Sequence, residues 1–322
     1  MRYRTLGGGS GPLVSALCLG ALPFGTSVDE PTSFAILDRF AEAGGTFVDT
    51  ADNYACWVPG GTGDESELLL GRWLRSRGAR DRTVLATKVG ARPDPSRGSE
   101  WPANLEGLGE KAVRDGIDGS LRRLGTDRVD LYYAHVEDRD VPLEETVGAF
   151  AGLVQDGTVD VLGVSNHATW RLAEARSIAA AQGLPGFRAV QQRHTYLRPR
   201  YGAESGLQRE TDEELLDYAA AHDEDLTLLG YSTLMHGAYA RPERPLPERY
   251  DHPGSVARLR VVREVAAEAG ATVNQVVLSW LMGGRVPVVP VLGVSSVTQL
   301  DECLAALDLQ LDAVQRARLD TA

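Results

Sequence analysis

Short runs of β-branched and apolar residues alternate along nearly the whole chain with longer stretches in which apolar side chains recur at i, i+3 and i+4. The short runs predict strands at Leu17 to Gly20, Thr46 to Thr50, Thr83 to Lys88, Val129 to His135, Val161 to Ser165, Ala189 to Gln191, Leu226 to Tyr231 and Val286 to Pro290. The longer stretches predict helices at Ser33 to Glu42, Glu65 to Arg77, Leu105 to Arg123, Leu143 to Gln155, Thr169 to Ala181, Thr211 to Ala221, Ser255 to Ala269 and Val297 to Leu307. Eight such strands alternating with eight helices predict an α/β fold, a parallel sheet closed into a (β/α)8 TIM barrel. Two pieces fall outside the repeat: a hairpin over Thr5 to Ser15 around GGGSGP, and an extra helix over Thr272 to Met282 before the last strand. Gly7, Gly8 and Gly9 are followed by Pro12 and a second strand instead of a helix, so they read as a turn and not as a dinucleotide loop. No low-complexity linker divides the chain, which predicts one domain over residues 1–322.

Composition narrows the class without changing the architecture. Hydrophobic residues at 43% and charged residues at 24% of 322 suit a folded protein with a sizeable core. A formal charge of −12 disfavours nonspecific binding to nucleic acid or an anionic membrane, while a local basic pocket for phosphate remains compatible with it. No signal-type apolar segment follows the first residues and no run approaches the roughly 18 apolar residues of a membrane helix, so a cytoplasmic protein with no membrane partner is expected. Cys18, Cys56 and Cys303 are odd in number and widely separated, which argues against structural disulfides and a cysteine-zinc site. Cys56 reads as a small packing residue.

A barrel concentrates its chemistry where the C-terminal ends of its strands and the following loops face a common opening. The predicted strand ends carry Asp49 and, after four intervening residues, Tyr54; then Lys88, His135, Ser165 with Asn166, Gln191 and Tyr231. Singly, Asp49 reads as a turn cap, Lys88 as a surface cation and His135 as a core histidine. Together at the ends of apolar strands they need one another as partners. A tyrosine titrates at about 10, and a neighbouring ammonium stabilises the phenolate and lowers that value, a role open to Lys88. Asp49 would anchor the ammonium by a buried ion pair and His135 would donate to a substrate oxygen. This set suits hydride addition to a carbonyl, with Tyr54 as the general acid that protonates the nascent alkoxide.

The segments FVDTADNY, ATKVG, DLYYAHVED, GVSNH, GYSTL and PVLGVSSVTQLDE, in this order across residues 1 to 310, resemble the aldo-keto reductase superfamily. The resemblance implies a barrel whose hairpin caps its N-terminal end, with extra C-terminal helices, and a nicotinamide cofactor lying extended across the opposite face. It places a catalytic tetrad on Asp49, Tyr54, Lys88 and His135. It implies that Ser165, Asn166 and Gln191 hold the carboxamide, that Tyr231 stacks on the nicotinamide ring, and that Ser232 and Leu234 follow the pyrophosphate. The adenosine end falls on Gly293, Ser295, Ser296, Gln299 and Glu302, where a loop meets a helix N-terminus. NADPH/NADP+ is the implied cofactor and a small-molecule carbonyl compound the implied substrate.

The chain departs from many relatives at two places. Gln299 and Cys303 stand where they carry Arg and Asn, and a neutral amide lacks the forked grip of a guanidinium on a 2′-phosphate, which leaves NADH as an alternative. Eight residues, Tyr54 to Gly61, replace a shorter loop, and Trp57 within them reads either as a packed anchor or as a substrate-binding wall. Asp52 reads as a loop or capping residue. The loops Ala55 to Asp64, Ala91 to Asn104, Arg193 to Glu210 and Met235 to Pro253 are the expected substrate selectors. Arg193, Arg198 and Arg200 read as a solvated basic loop in preference to an anion site. Two competing readings are a cofactor-binding regulatory subunit with little turnover and an aldolase using Lys88 as a Schiff-base nucleophile.

Overall fold

The computed structural model describes residues 1–204, 206–241 and 243–322. Eight short parallel strands close into a barrel: β3 (Cys18–Gly20), β4 (Phe47–Asp49), β5 (Val84–Val89), β6 (Val129–Ala134), β7 (Val159–Ser165), β8 (Phe187–Arg193), β9 (Thr227–Tyr231) and β10 (Val289–Leu292), with β10 returning to pair β3. Every predicted strand is present. The preceding strands β1 (Tyr3–Thr5) and β2 (Leu13–Ser15) form the antiparallel hairpin.

The helices are α1 (Glu30–Glu42), α2 (Glu65–Arg77), α3 (Glu110–Leu124), α4 (Leu143–Gln155), α5 (Thr169–Ala181), α6 (Glu213–Ala221), α7 (Pro253–Ala269), α8 (Val273–Met282), α9 (Val297–Ala305) and α10 (Ala313–Thr321). Side-chain caps fix several starts: Asp29 accepts from Thr32 N, Asp212 from Leu215 N and Ser296 from Gln299 N. Helix α3 begins five residues later than its apolar spacing predicts. Leu105 bridges Pro93, and the Glu106 carboxylate accepts from the Gly90 and Arg92 amides, which holds this stretch against the preceding loop. The final helix α10 opens on a capping box, Asp312 with Gln315.

Strand alternation divides the apolar residues into two cores. Outward side chains such as Val48, Leu85, Tyr132, Leu162 and Val190 pack under the helices. Inward side chains, among them Phe47, Ala86, Leu131, Tyr133, Val161, Ala189, Leu229 and Val289, fill the barrel, and they pack with Leu6 and Val14 of the hairpin. The hairpin thus plugs the barrel instead of lying loosely beside it. Its turn must be glycine: Gly8 has φ of +65°, and a Cβ there would fall 1.6 Å from the Glu224 carbonyl oxygen. Among the described residues no helix is long and apolar enough to cross a membrane.

Candidate active site

The inward alternation that fills the barrel continues to its C-terminal rim and there turns polar. Phe47 is followed two residues on by Asp49, Ala86 by Lys88, Ala189 by Gln191 and Leu229 by Tyr231. A cleft of about 1370 Å³ opens over this rim. Its lining includes Asp49, Tyr54, His135, Ser165, Asn166, Gln191, Tyr231, Ser232, Leu234, Gly293, Ser295, Gln299, Glu302 and Trp57. Of the residues expected at the site, only Lys88 and Ser296 do not reach it. Lys88 lies sealed beneath the floor, and Ser296 is spent on capping α9.

Lys88 is fully buried and its ammonium has three partners. Nζ donates to Asp49 Oδ2 at 2.6 Å, to the Thr50 carbonyl oxygen at 2.6 Å and to the Tyr54 hydroxyl at 2.8 Å. Its ring neighbours are Tyr54 and Tyr133, at 4.8 and 5.6 Å from the ring centroids. A buried charge is tolerated only with such compensation. Because Lys88 donates to the phenol oxygen, the phenol's own proton is left to point elsewhere; its contact with Asp49 Oδ2 is long, 3.5 Å.

The expected lowering of the Tyr54 pKa is not what the enclosure produces. Burial, followed by the Asp49 carboxylate, pushes the phenol well above its usual value. Tyr54 is therefore held protonated at neutral pH. Burial and then Lys88 push the His135 imidazole well below 6.5, so it is neutral. Its ring meets Tyr54 edge-on at 6.0 Å, and its Nδ1 is buried with no protein partner.

The residues expected to hold a nicotinamide cofactor surround the cleft in a suitable order, though several are engaged with one another. Asn166 Nδ2 donates to the His135 carbonyl oxygen (3.0 Å) and Ser165 Oγ (3.1 Å), while its Oδ1 accepts from the Tyr231 hydroxyl (2.7 Å) and the Arg209 amide (3.2 Å). Gln191 Nε2 donates to Asp49 Oδ1 at 3.0 Å; its neighbour Gln192 points outward to the His167 carbonyl oxygen. Gln299 accepts from the Ser295 amide and hydroxyl, and the Glu302 carboxylate accepts from Thr272 and Asn274. Gly293 leaves open space where a Cβ would stand, and the amide-rich start of α9 follows it. Hydroxyls and amides at the strand ends, an aromatic at Tyr231 and a helix N-terminus fit the carboxamide, ring and phosphates of a dinucleotide.

The surrounding loops are strained where they meet the cleft. All five non-glycine residues with positive φ among those described, Ala55, Asn166, Ser232, Met235 and His236, lie just after β4, β7 or β9. Trp57 is exposed and its ring stands edge-on to Tyr54 at 6.4 Å, so it is a wall of the cleft and not a buried anchor. Asp52, expected as a capping residue, is buried against Glu106, Glu67 and Arg123; burial and then Glu106 raise its pKa well above the carboxylate range. Arg198 and Arg200 make exposed ion pairs with Glu213 and Glu248, as a solvated loop would, whereas Arg193 turns into the cleft over Tyr231. Positions 205 and 242 of the selector loops lie outside the described residues.

Three contributors were not singled out from sequence: the Thr50 carbonyl, Tyr133 under Lys88, and Trp101 on the cleft wall. Tyr133 carried a usable signal, since it sits two residues before His135 on the same inward face. All three cysteines are free, and among the described residues no group of histidine, cysteine and carboxylate side chains forms a metal site.

A model of the aldo/keto reductase family matches residues 16–322. The chain is 32% identical over 330 residues to norsolorinic acid reductase B of Aspergillus parasiticus, covering 96% of this chain and 81% of that protein. It is 33% identical over 322 residues to the uncharacterized oxidoreductase YrpG of Bacillus subtilis, covering 97% and 93%. It is 32% identical over 324 residues to norsolorinic acid reductase stcV of Emericella nidulans, covering 96% and 78%.

Proposed function

This chain belongs to the aldo/keto reductase family of NAD(P)H-dependent oxidoreductases, and on that premise we propose that it reduces an aldehyde or ketone to the alcohol with Tyr54 as general acid. The observation that carries the reading is the Lys88 ammonium, which donates at once to Asp49 and to the Tyr54 oxygen and leaves the phenol proton only a long contact, 3.5 Å, with Asp49 Oδ2. The substrate's C=O becomes CH–OH: its carbon takes the hydride that the bound nicotinamide supplies, and its oxygen takes the Tyr54 proton. Lys88 then stabilises the phenolate that remains, and Asp49 holds Lys88 in place. Neutral His135 lies beside Tyr54 and orients the carbonyl oxygen by hydrogen bonding.

Ser165, Asn166 and Gln191 would hold the carboxamide, Tyr231 the ring, and the start of α9 with Gly293, Ser295, Gln299 and Glu302 the adenosine end. We read NADPH as the preferred form. Support comes from charge: three arginines, Arg193, Arg241 and Arg244, line the cleft against two carboxylates, Glu302 and Asp49, the second of which is ion-paired with Lys88. The aldolase reading loses its nucleophile, because Lys88 is sealed below the cleft by three hydrogen bonds.

The test follows NADPH oxidation with a panel of aldehydes and ketones. Tyr54→Phe is expected to lower kcat by about 100-fold or more while the Kd for NADPH, read by fluorescence, stays within about twofold. Retained turnover in this variant would remove Tyr54 from the role, and no turnover by the parent protein with any carbonyl would favour the regulatory reading.

A further inference from the structure

The strained backbone of Asn166 has a cause that lies outside the cleft. Asn166 takes φ of +57°, a left-handed conformation that persists in a residue other than glycine only where the surroundings impose it. Its side-chain oxygen has two partners, the Tyr231 hydroxyl at 2.7 Å and the Arg209 amide at 3.2 Å. The second can only donate, so the Asn166 amide is fixed in one of its two orientations. A carboxamide arriving at this residue would meet a donor and an acceptor whose places are already set.

Both sides of this arrangement lead to one carboxylate. Glu137 stands two residues after His135 on the loop that follows β6; its side chain is 7% exposed and does not line the cleft. Its Oε2 accepts from the Ala168 amide at 2.9 Å, two residues past Asn166, and lies 3.4 Å from Arg209 Nη2, while its Oε1 accepts from Arg139 Nε. Burial alone would raise this carboxyl; the Ala168 amide, followed by Arg139 and Arg209, overcomes that and holds it below its usual value, so it is ionised at neutral pH. Arg209 in turn is tied to β8, because its carbonyl oxygen accepts from the Arg193 amide at 2.9 Å. The loops after β6, β7 and β8 therefore meet at Glu137. The Arg209 guanidinium is 42% exposed, so its ion pair contributes little, and the charge-assisted bond to the Ala168 amide is the stronger fastening.

We infer that Glu137 is a positioning residue for cofactor binding: through the Ala168 amide and Arg209 its carboxylate sets the Asn166 amide that receives the nicotinamide carboxamide. That role rests on the carbonyl-reductase reading of the same site and adds to it a residue that touches neither cofactor nor substrate. Without the carboxylate, the turn at Asn166 loses the bond that holds its far side and relaxes towards an unstrained backbone, and the amide leaves the place where a ligand would find it. A residue that only supported the fold would have no such dependence on the Asn166 side chain.

The experiment is a double-mutant cycle on the full chain that reads the Kd of NADPH by fluorescence. Glu137→Ala is expected to raise the Kd about tenfold. Asn166→Gly removes the amide and accepts the left-handed conformation, and in that background Glu137→Ala should change the Kd by less than about twofold. Glu137→Gln keeps a neutral acceptor for the Ala168 amide and should raise the Kd only about threefold; where the alanine variant does not fold, the same cycle is run with the glutamine. An equal rise with and without the Asn166 side chain would mean that Glu137 acts on the fold at large and would overturn the role, as would a Kd that neither Glu137 substitution moves. A parent protein that does not bind NADPH would overturn this role together with the reading beneath it.

Discussion

Gln191 and Asp49 meet across the inside of the barrel: the amide nitrogen of Gln191 donates to Asp49 Oδ1 at 3.0 Å, on the oxygen that Lys88 does not use. Their strands, β8 and β4, are not neighbours in the sheet, so this bond spans the lumen. With Lys88 on Oδ2, both oxygens of a buried carboxylate are committed and its rotation is fixed. The residue expected to hold the cofactor's carboxamide therefore also orients the ion pair beneath Tyr54. Gln191→Leu is predicted to lower stability by about 2 kcal/mol, by leaving Oδ1 unpaired, and kcat by about tenfold. Urea unfolding and steady-state rates check this; an unchanged midpoint with an unchanged kcat would mean the bond does neither job.

Lys88→Met removes the one cation bonded to Asp49 among the described residues. A buried charge stripped of its partner typically costs about 3–5 kcal/mol, and the same change takes the stabilising ammonium from the Tyr54 phenolate. Stability measured by urea unfolding is expected to fall by that order, and adding Asp49→Asn should recover part of it because the amide carries no charge. Turnover should be lost in both variants. Recovery of activity with recovery of stability would separate Lys88 from the chemistry.

Acid should unfold the protein through its histidines. Burial holds His167 and His194 down to about 4, against about 6.5 for an unfolded histidine. As pH falls from about 6.5 towards about 4 the unfolded chain takes up these protons and the folded one does not, so stability present above that window drains away within it, by roughly 3 kcal/mol per histidine at most. The buried Asp52 and Glu106 carboxyls, raised chiefly by burial, act in the opposite sense and blunt the loss. His194→Gln should lose less Tm than the parent between these two pH values. Parallel Tm curves for the two proteins would contradict the assignment.

Gln299 spends its side-chain oxygen on the Ser295 amide and hydroxyl and brings no charge to the adenosine end. Replacing it by arginine offers a forked, charged donor to a 2′-phosphate. The ratio of kcat/KM for NADPH over NADH should rise about tenfold in Gln299→Arg. A ratio that does not move would place the 2′-phosphate elsewhere in the cleft.

Much of the architecture could be read from the chain because a barrel repeats one physical problem eight times. Each strand must be apolar on both faces, each helix must cover one of those faces, and the polar exception falls at the strand tip. That logic located Asp49, Lys88, His135 and Gln191 from pattern alone. It failed where local spacing and long-range contact disagree: the stretch from Leu105 to Gly109 has helical apolar spacing, yet Glu106 ties it to Gly90 and Arg92. It also failed for Tyr54 and Asp52. Sequence identifies a neighbouring charge but not how much water is left around the pair, and in both cases burial sets the direction of the pKa shift. Trp101 escaped notice because a loop aromatic has no periodicity that distinguishes a wall from a surface residue.

The hairpin that ends inside the barrel has a kinetic meaning. Leu6 and Val14 stopper the lumen from one side, so everything that reaches the strand tips must come and go through the other. A ligand seated on Ser165, Asn166 and Gln191 lies deeper than one resting on the exposed rings of Trp57 and Trp101. Two guests sharing a single doorway are bound to queue: the deeper one arrives first and departs last.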